Sequence, residues 1–125
     1  MTRLPRFSQL TEGQSAELKA QFSAADVADW CDLVALNESW SGVPEPLIAG
    51  LFSCLLGEQL PGHGTNYLKQ TMSFPELAEV DEPLLAKVTV SRLRPDKALV
   101  NLTTICTGRN NRMICEGEAL VKFQH

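Results

Sequence analysis

The chain has 125 residues, of which 44% are hydrophobic and 21% charged, and its formal net charge is −4. We expect one globular α+β domain over residues 1–125, because a chain of this length buries roughly two-thirds of its unfolded surface. The acidic balance argues against a nucleic-acid partner or a polybasic membrane surface, which both need clustered Lys and Arg. The longest apolar run, residues 46–56, would span only about 16 Å as a helix, so no membrane span is expected.

The dispersed cysteines and histidines predict neither a metal site nor disulfides. No C-x-x-C pair occurs, and the chain opens without a basic-then-apolar leader, so we expect a cytoplasmic protein with reduced cysteines in its core. An alternative is that Cys31 or Cys54 lines a ligand cavity. The residues concerned are Cys31, Cys54, Cys106, Cys115, His63 and His125.

The first elements predicted along the chain are a strand over residues 15–22 and an amphipathic helix over residues 23–36. Ser23 and Asp26 have the spacing of a capping box at the start of that helix. Apolar residues recur at helical spacing and predict its buried face. They are Val27, Trp30, Leu33 and Val34.

A second helix is predicted over residues 46–57, after a loop over residues 37–46. Pro46 suits the first helical turn and Gly57 suits the end. Between them only Ser53 is polar. A helix that is apolar nearly all round is enclosed on most of its sides in a soluble protein.

The rest of the chain predicts four strands with alternating apolar and polar residues. Their ranges are 65–74, 83–93, 98–107 and 112–123, with turns at "RPDK" and "GRNN". An antiparallel meander that follows one apolar helix predicts a sheet curled around a central helix.

The helix-to-strand stretch "LFSCLLGEQLPGHGTNYLKQTMSF" (51–74) resembles that of the MaoC-like hotdog proteins, and most closely the (R)-specific enoyl-CoA hydratases. The shared pattern is L-L-G-x-Q-L-P-G-x-G followed by Y-L-x-Q-x-x-x-F. The likeness continues in "FSAADVADW" (22–30), "RPDK", the "LTT" of 102–104 and the final "GEALVKF". It covers about residues 12–123.

The resemblance implies a hotdog fold, usually as a dimer whose sheets join side by side along the strand over residues 65–74. Tyr67, Gln70 and Phe74 are then interface or core residues. It implies an acyl thioester of coenzyme A or of acyl-carrier protein as the ligand, with no other cofactor. The reaction that it implies adds water across a trans-2-enoyl thioester.

The sequence departs from the family where the hydratases carry their catalytic residues. In those proteins D-x-N-P-x-H follows the first helix, and its Asp and His activate and position water. This chain passes from "DWCDLVAL" directly to "NESWSGVPEP", without such a pair. Pro44 stands at the next family His, Glu45 at the following Gly, and Gly50 at a helix Ser. The family's V-G-D turn becomes "VDE" (80–82).

Candidate site residues follow from this alignment. Glu45 and His63 are the candidate catalytic residues, although Glu45 can also simply stabilise the first turn of its helix and His63 can be a solvated loop residue. Asn37, Glu38 and Trp40 lie in the shortened loop, where Trp40 could cover the cavity. The remaining substrate-binding candidates are Gly50, Gly62 and Gly64.

The sequence therefore predicts a degenerate hotdog protein that binds acyl thioesters but lacks standard hydratase chemistry. One alternative is an acyl-CoA thioesterase, or another hotdog enzyme, that uses Glu45 or His63. A second is a hydratase-like subunit that pairs with an active paralogue.

Overall fold

A computed structural model describes residues 10–33, 42–62 and 64–123. In these ranges two helices and five strands follow one another in the predicted order. They are β1 (Ser15–Ala20), α1 (Ala24–Leu33), α2 (Glu45–Glu58), β2 (Thr65–Ser73), β3 (Leu84–Arg94), β4 (Leu99–Thr107) and β5 (Met113–Phe123). The two predicted turns are short 3-10 helices, Pro95–Lys97 and Arg109–Asn111.

Helix α1 begins with the predicted capping box. The Ser23 amide donates to Asp26 Oδ2 at 2.9 Å, and the Asp26 amide donates to Ser23 Oγ at 3.1 Å. The predicted buried face is wrong at Leu33, which is 83% exposed. The buried residues of the described helix are Val27 and Cys31, one turn apart, and the predicted Val34 lies outside the described residues.

The five strands form one antiparallel sheet in the order β1-β3-β4-β5-β2. Alternate residues of β3 and β4 are buried on the inner face, as the period-two pattern predicts. Val88, Leu102 and Val121 are among the inner-face residues with almost no exposed surface. The predicted α+β hotdog architecture, with a sheet around a central apolar helix, is confirmed.

Helix α2 lies on the inner face of the sheet and contacts β3 and β1. It buries Ile48, Leu51, Phe52, Leu55 and Leu56. The expected enclosure on most sides is only partial, because Gly50, Ser53, Cys54 and Gly57 remain exposed along one stripe. Cys54 is therefore the one cysteine of the four that lies outside the core.

Strand β2 lies at one edge of the sheet and pairs only with β5 among the described strands. Tyr67, Leu68 and Met72 are among the few large hydrophobic residues that are exposed in the described part of the chain. No helix in the described ranges has both the length and the apolar character that crossing a membrane requires.

Candidate functional site

The N-terminal end of α2 forms the mouth of the candidate site. Glu45 is the first helical residue, and its side chain is exposed and forms no hydrogen bond or ion pair with the described residues. Pro44 precedes it as a buried N-cap without a side-chain hydrogen bond. A carboxylate here is favoured by the positive end of the helix dipole.

The same helix end presents few amide donors. Pro46 has no N–H, and the Leu47 amide already donates to Pro44 O at 3.1 Å. The Glu45 amide has no backbone acceptor among the described residues. The mouth therefore offers the Glu45 amide, rather than a set of free amides, to a ligand oxygen.

A small cavity of about 120 Å³ opens beside Glu45. Its other walls are Ile114 of β5 and residues 74–78, which connect β2 to β3. The Val43 amide donates to Ala78 O at 2.8 Å, so the chain that enters α2 is fixed against this connection. Gly42, with φ +99°, is packed so closely on Leu77 that a Cβ would lie 2.7 Å from its side chain.

Two buried thiols lie behind this mouth, where Cys106 of β4 and Cys115 of β5 are direct cross-strand partners. Burial raises the pKa of Cys106 to about 11, and the charge of Glu82 adds to the effect. Burial raises the pKa of Cys115 to about 12, with further contributions from Cys106 and from the carboxylates of Glu45 and Glu116. Both therefore remain protonated near neutral pH and are unsuited to nucleophilic attack on a thioester.

The structure brings together only part of the predicted site. Asn37, Glu38, Trp40 and His63 lie outside the described residues, so their roles stay predictions. Gly50 lies on the exposed side of α2, and a Cβ there would meet open space.

Gly62 and Gly64 lie beyond the C-terminal end of α2, roughly 20 Å along the helix from Glu45. Gly62 is buried with φ +91°, and its amide donates to Leu56 O at 2.9 Å. The turn therefore requires a glycine at this position. A role of either glycine in substrate binding stays a prediction.

A cluster of hydrogen bonds and ion pairs around a second carboxylate, Glu82, was not predicted from the sequence. Glu82 is 1% exposed and accepts hydrogen bonds from the amides of Glu79 (2.9 Å) and Arg109 (2.7 Å). Arg112 Nη2 donates to Glu82 Oε1 at 2.5 Å, and Arg112 also pairs with Glu76. This Glu82 cluster ties the β2–β3 connection to the turn between β4 and β5.

The local sequence favours this cluster at two positions. Asp81 adopts φ +64° in the turn directly before the buried Glu82. Gly108 leaves the space that the Glu82 carboxylate fills. Burial alone would raise the pKa of Glu82, but the two amides and Arg112 outweigh it and lower the pKa.

No group of three or more His, Cys, Asp or Glu residues is arranged to hold a metal ion in the described ranges. At the mouth of α2 the described residues offer the Glu45 carboxylate, beside the small cavity of about 120 Å³.

Comparison with known proteins identifies the family. No protein-family model matches the chain. It is 37% identical to an (R)-specific enoyl-CoA hydratase of Aeromonas caviae, over 91% of this chain and 96% of the relative. It is 32% identical to a protein of the same name from Rhodospirillum rubrum, over 92% of this chain and 89% of the relative.

A solved structure agrees with the sequence relatives. The (R)-hydratase from A. caviae involved in PHA biosynthesis superposes with a TM-score of 0.85 at 36% identity, over 92% of this chain and 98% of that structure. The chain therefore belongs to the MaoC-like hotdog family that includes the (R)-specific enoyl-CoA hydratases.

Proposed function

We propose that this protein binds acyl thioesters of coenzyme A or acyl-carrier protein at the mouth of α2, without standard enoyl-CoA hydratase chemistry. Family membership supports the ligand class, because the relatives are named for enoyl-CoA. The exposed Glu45 beside the cavity of about 120 Å³ supports the mouth of α2 as the binding site.

One observation carries the proposed loss of hydration. Residues 34–44, between α1 and α2, contain neither His nor Asp, although the family's Asp–His pair follows the first helix. A positioned general acid or base typically contributes about 10²–10⁴-fold to a rate. A chain without that pair binds the substrate but lacks the groups that activate water.

Asn37, Glu38 and Trp40 belong to that shortened segment and complete the proposed site, with Trp40 as its cover. Gly50, Gly62 and Gly64 extend the proposed contacts along α2 to its far end. In this proposal the acyl chain lies beside the helix.

The test is to measure hydration and binding on the same preparation. We expect no turnover of crotonyl-CoA above background and saturable binding of short or medium acyl-CoA by calorimetry. Turnover of several per second that survives further purification would overturn the loss of hydratase chemistry. Absence of both turnover and binding would overturn the binding function.

A second candidate function is thioester hydrolysis with Glu45 as general base. The specific observation is that Glu45 is an exposed carboxylate, without partners among the described residues, at the cavity wall. His63 is the alternative base. A screen of acyl-CoA chain lengths for release of free coenzyme A distinguishes this enzyme from a binding protein.

We also propose that β2 is the interface of a homodimer. It is an edge strand with exposed Tyr67, Leu68 and Met72, and such an edge is prone to pair with another strand. Sedimentation should give a dimer at micromolar concentration, and a monomer would contradict it. If only co-expression with a paralogue yields the dimer and restores hydration, the hydratase-like subunit is the correct alternative.

A further inference from the structure

The outer face of the sheet, opposite α2, carries a small polar pocket. Its volume is about 240 Å³, and it crosses the sheet from β3 to the edge strand β2. The side chains that define this polar pocket are Lys69, Thr71, Arg94, Asn101 and Glu118. Asn101 lies between the inner-face residues Val100 and Leu102, so its side chain points away from α2.

Arg94 lacks a partner for one of its buried donors. Its Nη2 donates to Asn101 Oδ1 at 3.1 Å. Its Nε is buried and has no acceptor among the described residues. Buried guanidinium N–H groups are almost always paired, so an unpaired one calls for a specific explanation.

The acid of the pocket is engaged with other groups. Asn101 Nδ2 lies 3.5 Å from Glu118 Oε1, so the Asn101 amide separates Glu118 from Arg94. The Glu118 amide donates to Thr71 Oγ1 at 3.3 Å, and Thr71 Oγ1 lies 3.4 Å from Glu118 O. Neither Arg94 nor Lys69 forms an ion pair with any described residue.

The pocket therefore has two cationic side chains, one of them a planar guanidinium whose hydrogen bonds are only partly formed, and one carboxylate held apart from them. The guanidinium group matches the geometry of a carboxylate or phosphate. The volume is below the roughly 300 Å³ of sites for drug-sized ligands, so the ligand is small.

We propose that the polar pocket binds a small oxoanion, through the guanidinium group of Arg94 and the ammonium group of Lys69. The shared ligand chemistry is a carboxylate or a phosphate group. The site is separate from the mouth of α2, because the two lie on opposite faces of the sheet.

The test measures the thermal midpoint and calorimetric binding of the full chain. Inorganic phosphate and acetate are titrated separately, at constant ionic strength maintained with chloride. A ligand that binds only the folded state raises the midpoint with its concentration. We expect saturable binding of at least one of the two anions, and which one binds identifies the group as phosphate or carboxylate.

Matched variants locate the binding. Arg94→Gln should weaken the affinity about tenfold or more, because a charged hydrogen-bond partner is lost. Arg92→Gln removes the same charge from an exposed residue of the same strand and should leave the affinity within about twofold. Lys69→Gln, at the edge strand, should weaken binding even if Arg94→Gln does not fold.

Glu118→Gln should change the affinity for the anion in the opposite direction. Removal of the one carboxylate should tighten anion binding several-fold, since a like charge next to the ligand is lost. Lack of saturable binding by the wild type would overturn the proposal. So would equal loss in Arg92→Gln and Arg94→Gln, or weaker binding in Glu118→Gln.

Discussion

The connection between β2 and β3 has a carboxylate near each end, and the two carboxylates differ in every respect that matters for function. Glu45 borders its beginning, is exposed, and has no partner among the described residues. Glu82 at its end is 1% exposed and accepts hydrogen bonds from two amides and Arg112. The first carboxylate is held by no described residue, whereas the second fixes the wall against which Glu45 lies.

The largest expected effect is on the free energy of unfolding, when the buried carboxylate is neutralised. Glu82→Gln keeps the shape but removes the charge that Arg112 and two amides bind, and should cost about 2–4 kcal/mol. Urea unfolding followed by circular dichroism measures the loss. Glu79→Gln, a change at an exposed acid, is the control and should stay within about 0.5 kcal/mol. A loss below about 1 kcal/mol in Glu82→Gln would contradict the comparison.

The second effect tests the space that Gly108 leaves for Glu82. In Gly108→Ala the new methyl group would overlap the Glu82 carboxylate, and overpacking of this kind costs about 1–3 kcal/mol. Gly50→Ala is the matched control, because its methyl group meets open space on an exposed helix face. That control should be neutral or more stable by about 0.5–1 kcal/mol. Equal midpoints in urea for both variants would show that the cluster tolerates displacement.

The third effect is the pH dependence of the Glu82 contribution. The folded pKa of Glu82 is lowered from its ordinary value of 4.5, so the folded protein binds this proton less tightly than the unfolded chain. The contribution is therefore complete above about pH 4.5 and is lost as the pH falls through the folded pKa. The stability difference between wild type and Glu82→Gln should narrow from pH 7 to pH 3. A difference that widens on acidification would show that the sign is wrong.

The smallest effect on stability is expected at Glu45. Glu45→Gln should change the free energy of unfolding by no more than about 1 kcal/mol, the scale of one charge at a helix end. Any acyl-CoA hydrolysis should nevertheless fall about 10²-fold in kcat, because a general base is lost. Equal hydrolysis by wild type and Glu45→Gln would remove Glu45 from the chemistry and make His63→Ala the next variant to measure.

The sequence predicted most of the fold because local patterns determine it. Alternating apolar residues placed the strands within a residue or two, and the Ser23–Asp26 spacing located the start of α1. The prediction that Leu33 is buried was wrong, because helical spacing identifies a face but does not show how much of that face contacts the core. Cys31, one turn after Val27, occupies the buried position instead.

The candidate site was only partly predictable. Glu45 was found because its neighbours align with a family pattern. Glu82 was not, since its partners Arg109 and Arg112 lie 27 and 30 residues away and no local period connects them. The polar pocket was missed for the same reason, because Arg94, Asn101 and Glu118 come from three strands.

The distribution of the cysteines provides a chemical reporter of unfolding. Cys54 is exposed, while Cys31, Cys106 and Cys115 are buried. Only a thiolate reacts rapidly with an alkylating reagent, and Cys106 and Cys115 are both buried and protonated near neutral pH. A short pulse of iodoacetamide should therefore add one label to the folded chain and four once the core opens. Mass spectrometry of pulsed samples then counts opened molecules directly, without an added dye or tag.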